Sequence, residues 1–122
     1  MILADTSVWI DHFRRADAML ADCLMQGLIT THPFVIGELA LGGLHRRDEI
    51  LNLLQALPRT MVAADDEVLT FITRAALAGR GIGYVDCHLL AAVRLTPGCR
   101  LWTRDRRLDA IAREMALTAG LA

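Results

Sequence analysis

The chain opens Met1-Ile-Leu-Ala-Asp-Thr-Ser-Val-Trp-Ile10. Four apolar residues meet an acid, and two hydroxyl side chains follow it. A short unbroken apolar run reads as a strand buried on both faces, as in a parallel sheet. Thr6 or Ser7 can cap the helix that comes next, which carries Val8, Trp9 and Phe13 with Asp11, Arg14 and Arg15. Strand then helix is the building unit of an α/β fold. Asp5 falls where the strand ends, and open parallel sheets hold their ligands at the carboxyl ends of strands.

The same unit recurs further along the chain. Asp17 to Gln26 predicts a second helix, stopped by Gly27, and Leu28 to Thr31 a strand. Pro33 suits the first position of a helix reaching Leu41. Ile50, Leu53, Leu54 and Leu57 have helical spacing, which predicts a helix over Arg47 to Leu57, and Thr60 to Ala63 reads as a strand. Asp65, Asp66 and Glu67 suit the positive end of a helix that ends in Gly79-Arg-Gly-Ile-Gly83. Those glycines lack the preceding strand and following lysine of a phosphate-binding loop. A nearly apolar helix over Tyr84 to Leu95 and a turn at Thr96-Pro-Gly98 follow. Then come a strand over Cys99 to Thr103, a helix over Asp105 to Met115, and a last edge strand over Ala116 to Thr118. Short apolar strands alternating with helices predict the α/β class, a three-layer α/β/α sandwich around a central, mainly parallel sheet. Residues 1–122 read as a single domain without repeats or linkers.

Composition narrows the function. The chain is 54% hydrophobic and 22% charged, which excludes intrinsic disorder. No apolar run reaches the roughly 18 residues of a membrane span, and no basic segment precedes Asp5 as in a signal peptide, so a cytoplasmic location is expected. Cys23, Cys87 and Cys99 are odd in number and lack C-x-x-C spacing, which argues against a disulfide framework or a zinc site. All 13 basic residues are arginine. A Walker A loop, a Schiff base and a Ser-Lys dyad are thereby excluded. Arginine favours bidentate contacts to phosphate, and Arg14-Arg15, Arg46-Arg47, Arg104, Arg106 and Arg107 are candidates to hold flanking phosphates.

Four acids stand in apolar surroundings. Asp5 ends the first strand and Asp105 follows Cys99-Arg-Leu-Trp-Thr103. Glu38 is the only charged residue between Asp22 and Arg46, and Asp86 the only one between Arg80 and Arg94. Asp5 and Asp105 are also natural helix caps, Asp86 suits a first helical turn, and Glu38 could be solvated. Each signal alone is weak. Together they point to one acidic pocket, and such a pocket suits a hard divalent cation. The four histidines show no ligand spacing, and Trp9 and Trp102 read as core rather than as base-stacking platforms.

Four motifs in order, I-L-A-D-T-S-V-W-I, V-I-G-E-L-A-L-G, G-I-G-Y-V-D-C-H-L-L-A-A and L-W-T-R-D-R-R-L, resemble the successive motifs of PIN domains. Among these the chain is most similar to the VapC toxins of bacterial VapBC toxin–antitoxin pairs. The resemblance spans the chain. It implies catalytic, metal-binding acids at Asp5, Glu38, Asp86 and Asp105, with Thr6 and Thr103 as accompanying polar residues and Asp109 as an auxiliary acid. It further implies an endoribonuclease that depends on Mg²⁺ or Mn²⁺, acts on RNA, and is kept inactive by a VapB-like antitoxin. Self-association as a homodimer is expected through the helices around Leu39 to Leu57, where Val35, Leu39, Ile50, Leu51, Leu53 and Leu54 supply apolar surface. A PIN nuclease of RNA processing and a catalytically weak PIN-fold binding module are the alternatives. A phosphoaspartate enzyme would also use an acid at a strand end. The phosphatases of that class want a second Asp where Ser7 stands, and the class usually needs a lysine.

Overall fold

The computed structural model describes residues 1–122. Its elements follow in the order β1 (Ile2–Ala4), α1 (Thr6–Arg14), α2 (Ala18–Met25), β2 (Ile29–Thr30), α3 (Pro33–Ala40), α4 (Arg47–Ala56), α5 (Asp65–Arg74), α6 (Tyr84–Leu95), β3 (Arg100–Trp102) and α7 (Arg106–Glu114). The three strands form one parallel sheet in the order β2-β1-β3. Ile2 pairs with Ile29 on one side and Arg100 on the other, and Ala4 pairs with Trp102. The central strand is buried on both sides, as its unbroken apolar run requires.

Helices cover the sheet with their apolar faces. Leu3, Val8, Trp9, Leu20, Leu54, Leu90, Leu101, Trp102 and Leu108 are all buried in a single core. Each large side chain removed from water there contributes roughly 1.5–3 kcal/mol. α6 runs through the middle of the fold, with every residue from Cys87 to Val93 buried. Its near-absence of charge follows from that position. Asp86 sits one residue before the buried stretch begins.

Pairing continues to the end of the central strand, where the amide of Asp5 donates to the carbonyl of Trp102 at 3.0 Å. The segments that leave β1 and β3 are therefore side by side. Asp5 caps α1 and Asp105 caps α7, so the two acids begin neighbouring helices at one edge of the sheet.

Two expected strands shrink to single bridges. Thr60 to Ala63 forms no strand; only Arg59 bridges to Thr31, with the Thr60 amide on the Thr31 carbonyl. The chain then leaves the sheet because the Met61 amide donates to Thr96 Oγ1 at 2.9 Å. Ala116 to Thr118 likewise pairs only at Thr118, opposite Leu101. The Thr118 hydroxyl is drawn to Asp109, and Gly120 turns the chain with φ at +72°. The cap of α1 is Asp5 itself, not Thr6 or Ser7. The apolar surplus expected around Leu39 to Leu57 is also smaller than its residue types suggest. Val35, Leu39 and Leu54 belong to the core, whereas Leu53 is exposed and Leu41 is 90% exposed. No helix is long and apolar enough to cross a membrane.

Candidate active site

Three of the four acids are fixed by the helix ends they cap. Asp5 is 5% exposed, and its Oδ1 accepts from the Val8 amide at 3.3 Å and from the Ser7 hydroxyl. Asp105 Oδ1 accepts from the amides of Arg107 at 2.9 Å and Leu108 at 3.1 Å. Asp86 lies in the first turn of α6, where Oδ2 accepts from the Gly83 amide at 3.1 Å. Each bond satisfies an amide that the helix leaves without an internal partner, and each holds a carboxylate in a set direction. Capping and site formation are thus one arrangement at these positions.

Glu38 is placed differently. It stands on the outer face of α3, and its Oε1 accepts from the Thr6 hydroxyl at 2.7 Å. Thr6 is the first residue of α1, so this bond ties the acid of α3 to the helix that Asp5 caps. Thr103 plays the matching part beside β3. Its hydroxyl oxygen accepts from the Asp105 amide at 3.1 Å, and it helps stabilise the Asp5 carboxylate.

Asp86 senses the other three acids. Burial pushes the Asp86 carboxyl above its ordinary range, and the charges of Asp5, Asp105 and Glu38 push it the same way. Burial also raises Asp5, against the opposing pull of the Ser7 and Thr103 hydroxyls. Like charges gathered without a cation disfavour ionisation. The charges of three acids far apart in sequence therefore reach Asp86, near the carboxyl edge of the sheet where Asp5 and Asp105 stand. A family model described as PIN domain matches residues 2–114. The chain belongs to the PIN domain family.

This PIN domain is 52% identical over 114 residues to Ribonuclease VapC32 of Mycobacterium tuberculosis strain CDC 1551 / Oshkosh, an overlap of 93% of this chain and 92% of that protein. The same figures hold for Ribonuclease VapC32 of strain ATCC 25618 / H37Rv.

The four acids differ in exposure. Asp5 is buried and Asp86 half-buried, but Glu38 and Asp105 are exposed. No three His, Cys, Asp or Glu side chains are grouped as a ready-made metal-ligand set. The donors at the site are nevertheless all oxygens, four carboxylates and the hydroxyls beside them, and their charges add. Hard divalent cations take such donors. The donor types present therefore suit a hard divalent cation.

Ser7 is the site residue that sequence reading passes over. Its hydroxyl donates to Asp5 Oδ1 and accepts from the Arg104 amide at 3.0 Å. It thereby links the turn after β1 to the turn after β3. The only sequence signal is a hydroxyl two residues after the acid, which reads equally well as a cap.

Several candidates are committed elsewhere. The Arg104 guanidinium pairs with Asp11 at 2.9 Å and with Asp17, and lies over the Trp102 ring. It locks the fold and is not free to hold a phosphate. Asp109 accepts from Arg113 Nε at 2.8 Å and from the Thr118 hydroxyl at 2.9 Å, which fastens α7 to the C-terminal segment. Arg47 donates to the Ala40 carbonyl. Arg107 lies against the loop before α6, where a Cβ on Gly81 would come within 2.6 Å of its Nη1. Trp9 and Trp102 are buried, in keeping with their reading as core.

Proposed function

We propose that this PIN domain, read as one unit over residues 1–122, is a metal-dependent endoribonuclease. In this reading it is the toxin of a toxin–antitoxin pair, acts in the cytoplasm, and is restrained by a cognate VapB-like antitoxin. The placement of Asp5, Asp105 and Glu38 where their charges reach Asp86, three of the four acids being held by helix-start amides, carries the reading. Capping explains where three of the carboxylates stand, but like charges brought within reach of one another are costly unless a cation joins them. The 52% identity to Ribonuclease VapC32 across nearly the whole chain supports RNA as the substrate.

Asp5, Asp86 and Asp105 would hold Mg²⁺ or Mn²⁺, with Glu38 either binding the ion through water or orienting the attacking water. When bound, the ion supplies positive charge to the scissile phosphate and lowers the pKa of the water that attacks it. The chain's own residues do the rest. Backbone amides fix one oxygen of each aspartate. The Thr6 hydroxyl fixes one oxygen of Glu38 and leaves the other without a protein partner for either role. Water attack on the phosphorus expels the ribose 3′-oxygen, leaving a 5′-phosphate on one fragment and a 3′-hydroxyl on the other.

Inhibition has a structural counterpart next to the acids. A groove of about 430 Å³ is lined by Ile10, Phe13, Leu39, Leu44 and Ile50 and has Glu38 at its wall. It lies beside α1, and its floor is Phe13 and Ile10 rather than the buried Trp9. An amphipathic antitoxin segment laid there could carry an Arg or Lys onto the acids, replacing the cation by a charge-assisted contact. We also infer a two-fold homodimer, supported by the outward Leu41 and Leu53.

The test is brief expression in a bacterial host, followed by sequencing of new RNA ends. New 5′-phosphate ends should accumulate at a few sites and disappear when the upstream partner gene is expressed too. An unchanged set of RNA ends would contradict the reading.

A further inference from the structure

Phe34 and Tyr84 are the only Phe, Tyr or Trp side chains that are exposed, at 36% and 46%. They come from different helices and meet on one ring. His88 is buried, with the Phe34 centroid 4.6 Å and the Tyr84 centroid 4.7 Å from its own. The Tyr84 hydroxyl donates to Asp65 Oδ1 at 3.3 Å, which fixes the direction of the phenol ring.

The position of this cluster ties it to the acids. Phe34 and Glu38 are four residues apart on the outer face of α3, which makes them neighbours along the helix. Tyr84 begins α6 two residues before Asp86, next to Gly83, whose amide holds the Asp86 carboxylate. The two rings thus flank the helices that contribute two of the four acids. The ring contacts of Phe34 and Tyr84 with His88 bring the starts of α3 and α6 together. His88 Nδ1 has no partner, and its Nε2 lies 3.3 Å from Asp65 Oδ1 without alignment for a hydrogen bond. The buried Nε2 of His32, whose ring neighbours that of Phe34, is also without a partner.

We propose that Phe34 and Tyr84 form a stacking site for one unstacked base of the RNA, adjacent to the scissile phosphate; this rests on the ribonuclease reading. Single-stranded RNA is recognised by splaying bases onto aromatic faces, and a flat exposed ring beside an acidic site serves that purpose. The acids supply the chemistry at the phosphate. The rings choose which phosphate arrives there, by holding the neighbouring nucleotide. His88 and Asp65 are positioning residues that keep the two rings in place.

The experiment compares wild type with Phe34→Leu and Tyr84→Leu, which keep apolar bulk but remove the aromatic face. Each protein is given a short random-sequence RNA pool with Mn²⁺, and the cut ends are sequenced. The preferred RNA is then used for kinetics, both intact and with single abasic sugars placed around the cut. Thermal unfolding of all three proteins is measured alongside. The expected result is a base preference at one position beside the cut that flattens in both variants. KM should rise about tenfold, the scale of one lost stacking contact, with kcat nearly unchanged. An abasic sugar at that position should cost the wild type a similar factor and the variants almost nothing further. Variants that keep the wild-type preference and KM overturn the stacking site and leave the nuclease reading intact. A loss of kcat with lowered stability and an unchanged abasic profile assigns the rings to packing and also overturns it. If the wild type cuts no RNA, both readings fall together.

Discussion

Asp86 is the residue on which the opposing forces at the site meet. Burial and three neighbouring acids raise its pKa, and one backbone amide opposes them. Between the ordinary value of 3.8 and the raised folded value, the native state keeps a proton that the unfolded chain has released. Stability of the metal-free protein should therefore fall as pH rises through that window. Asp86→Asn removes the charge, keeps an oxygen for the Gly83 amide, and should make the metal-free protein more stable at neutral pH. It should also flatten this part of the pH dependence. Denaturant unfolding of both proteins in chelator, at pH 4 to 8, measures it; a less stable variant at pH 7 would contradict the electrostatic account. The four acids were legible in the sequence because each interrupts an apolar stretch. Ser7 was not, since one hydroxyl can cap, bridge or face water and its identity alone does not choose. The Arg104 partnership was hidden for a related reason: Asp11 and Asp17 lie 93 and 87 positions away, and only the fold brings them within reach.

At the level of elements, the turns after β1 and β3 decide whether the site exists. Arg104 clamps them. It joins the β3–α7 turn to Asp11 in α1 and to Asp17, the cap of α2. Its side chain is 25% exposed, so solvent screens the pairs only in part. Arg104→Ala should cost about 1–2 kcal/mol of stability. It should also lower cleavage, because Asp105 follows it directly. Urea unfolding gives the first quantity; a change below about 0.5 kcal/mol would mean the clamp is an ordinary surface pair. Most helices were legible to within a residue or two, since helical spacing, Pro33, Gly27 and the acids opening α5 are local signals; α5 is the exception, stopping at Arg74 rather than running on to Gly79, because the chain turns at Ala76 with φ at +52°. The strands beside the sheet edges were less so. Thr60 to Ala63 has the residue types of a strand, but a strand exists only by pairing, and the Met61 amide pairs with Thr96 Oγ1 instead. Residue type alone also misjudged the apolar surface of α3 and α4, because helical spacing shows which residues share a face but not which face meets the core.

For the whole molecule, the fold class followed from the alternation of strands and helices. The placement of the site at the carboxyl edge followed from the parallel order β2-β1-β3. Association with a second copy depends on which apolar side chains remain outside that fold. Leu41 and Leu53 remain, and light scattering at micromolar concentration should give twice the monomer mass; a strict monomer would contradict the dimer. The central claim is that four carboxylates act together on RNA through a divalent cation. It is tested most directly by cleavage of a defined RNA by purified wild type and folded Asp86→Asn, each with Mg²⁺, with Mn²⁺ and with chelator. The account predicts 5′-phosphate products from the wild type with metal only, and a rate at least about a hundredfold lower for Asp86→Asn with either metal. Equal rates for the two proteins, or undiminished cleavage in chelator, would contradict it.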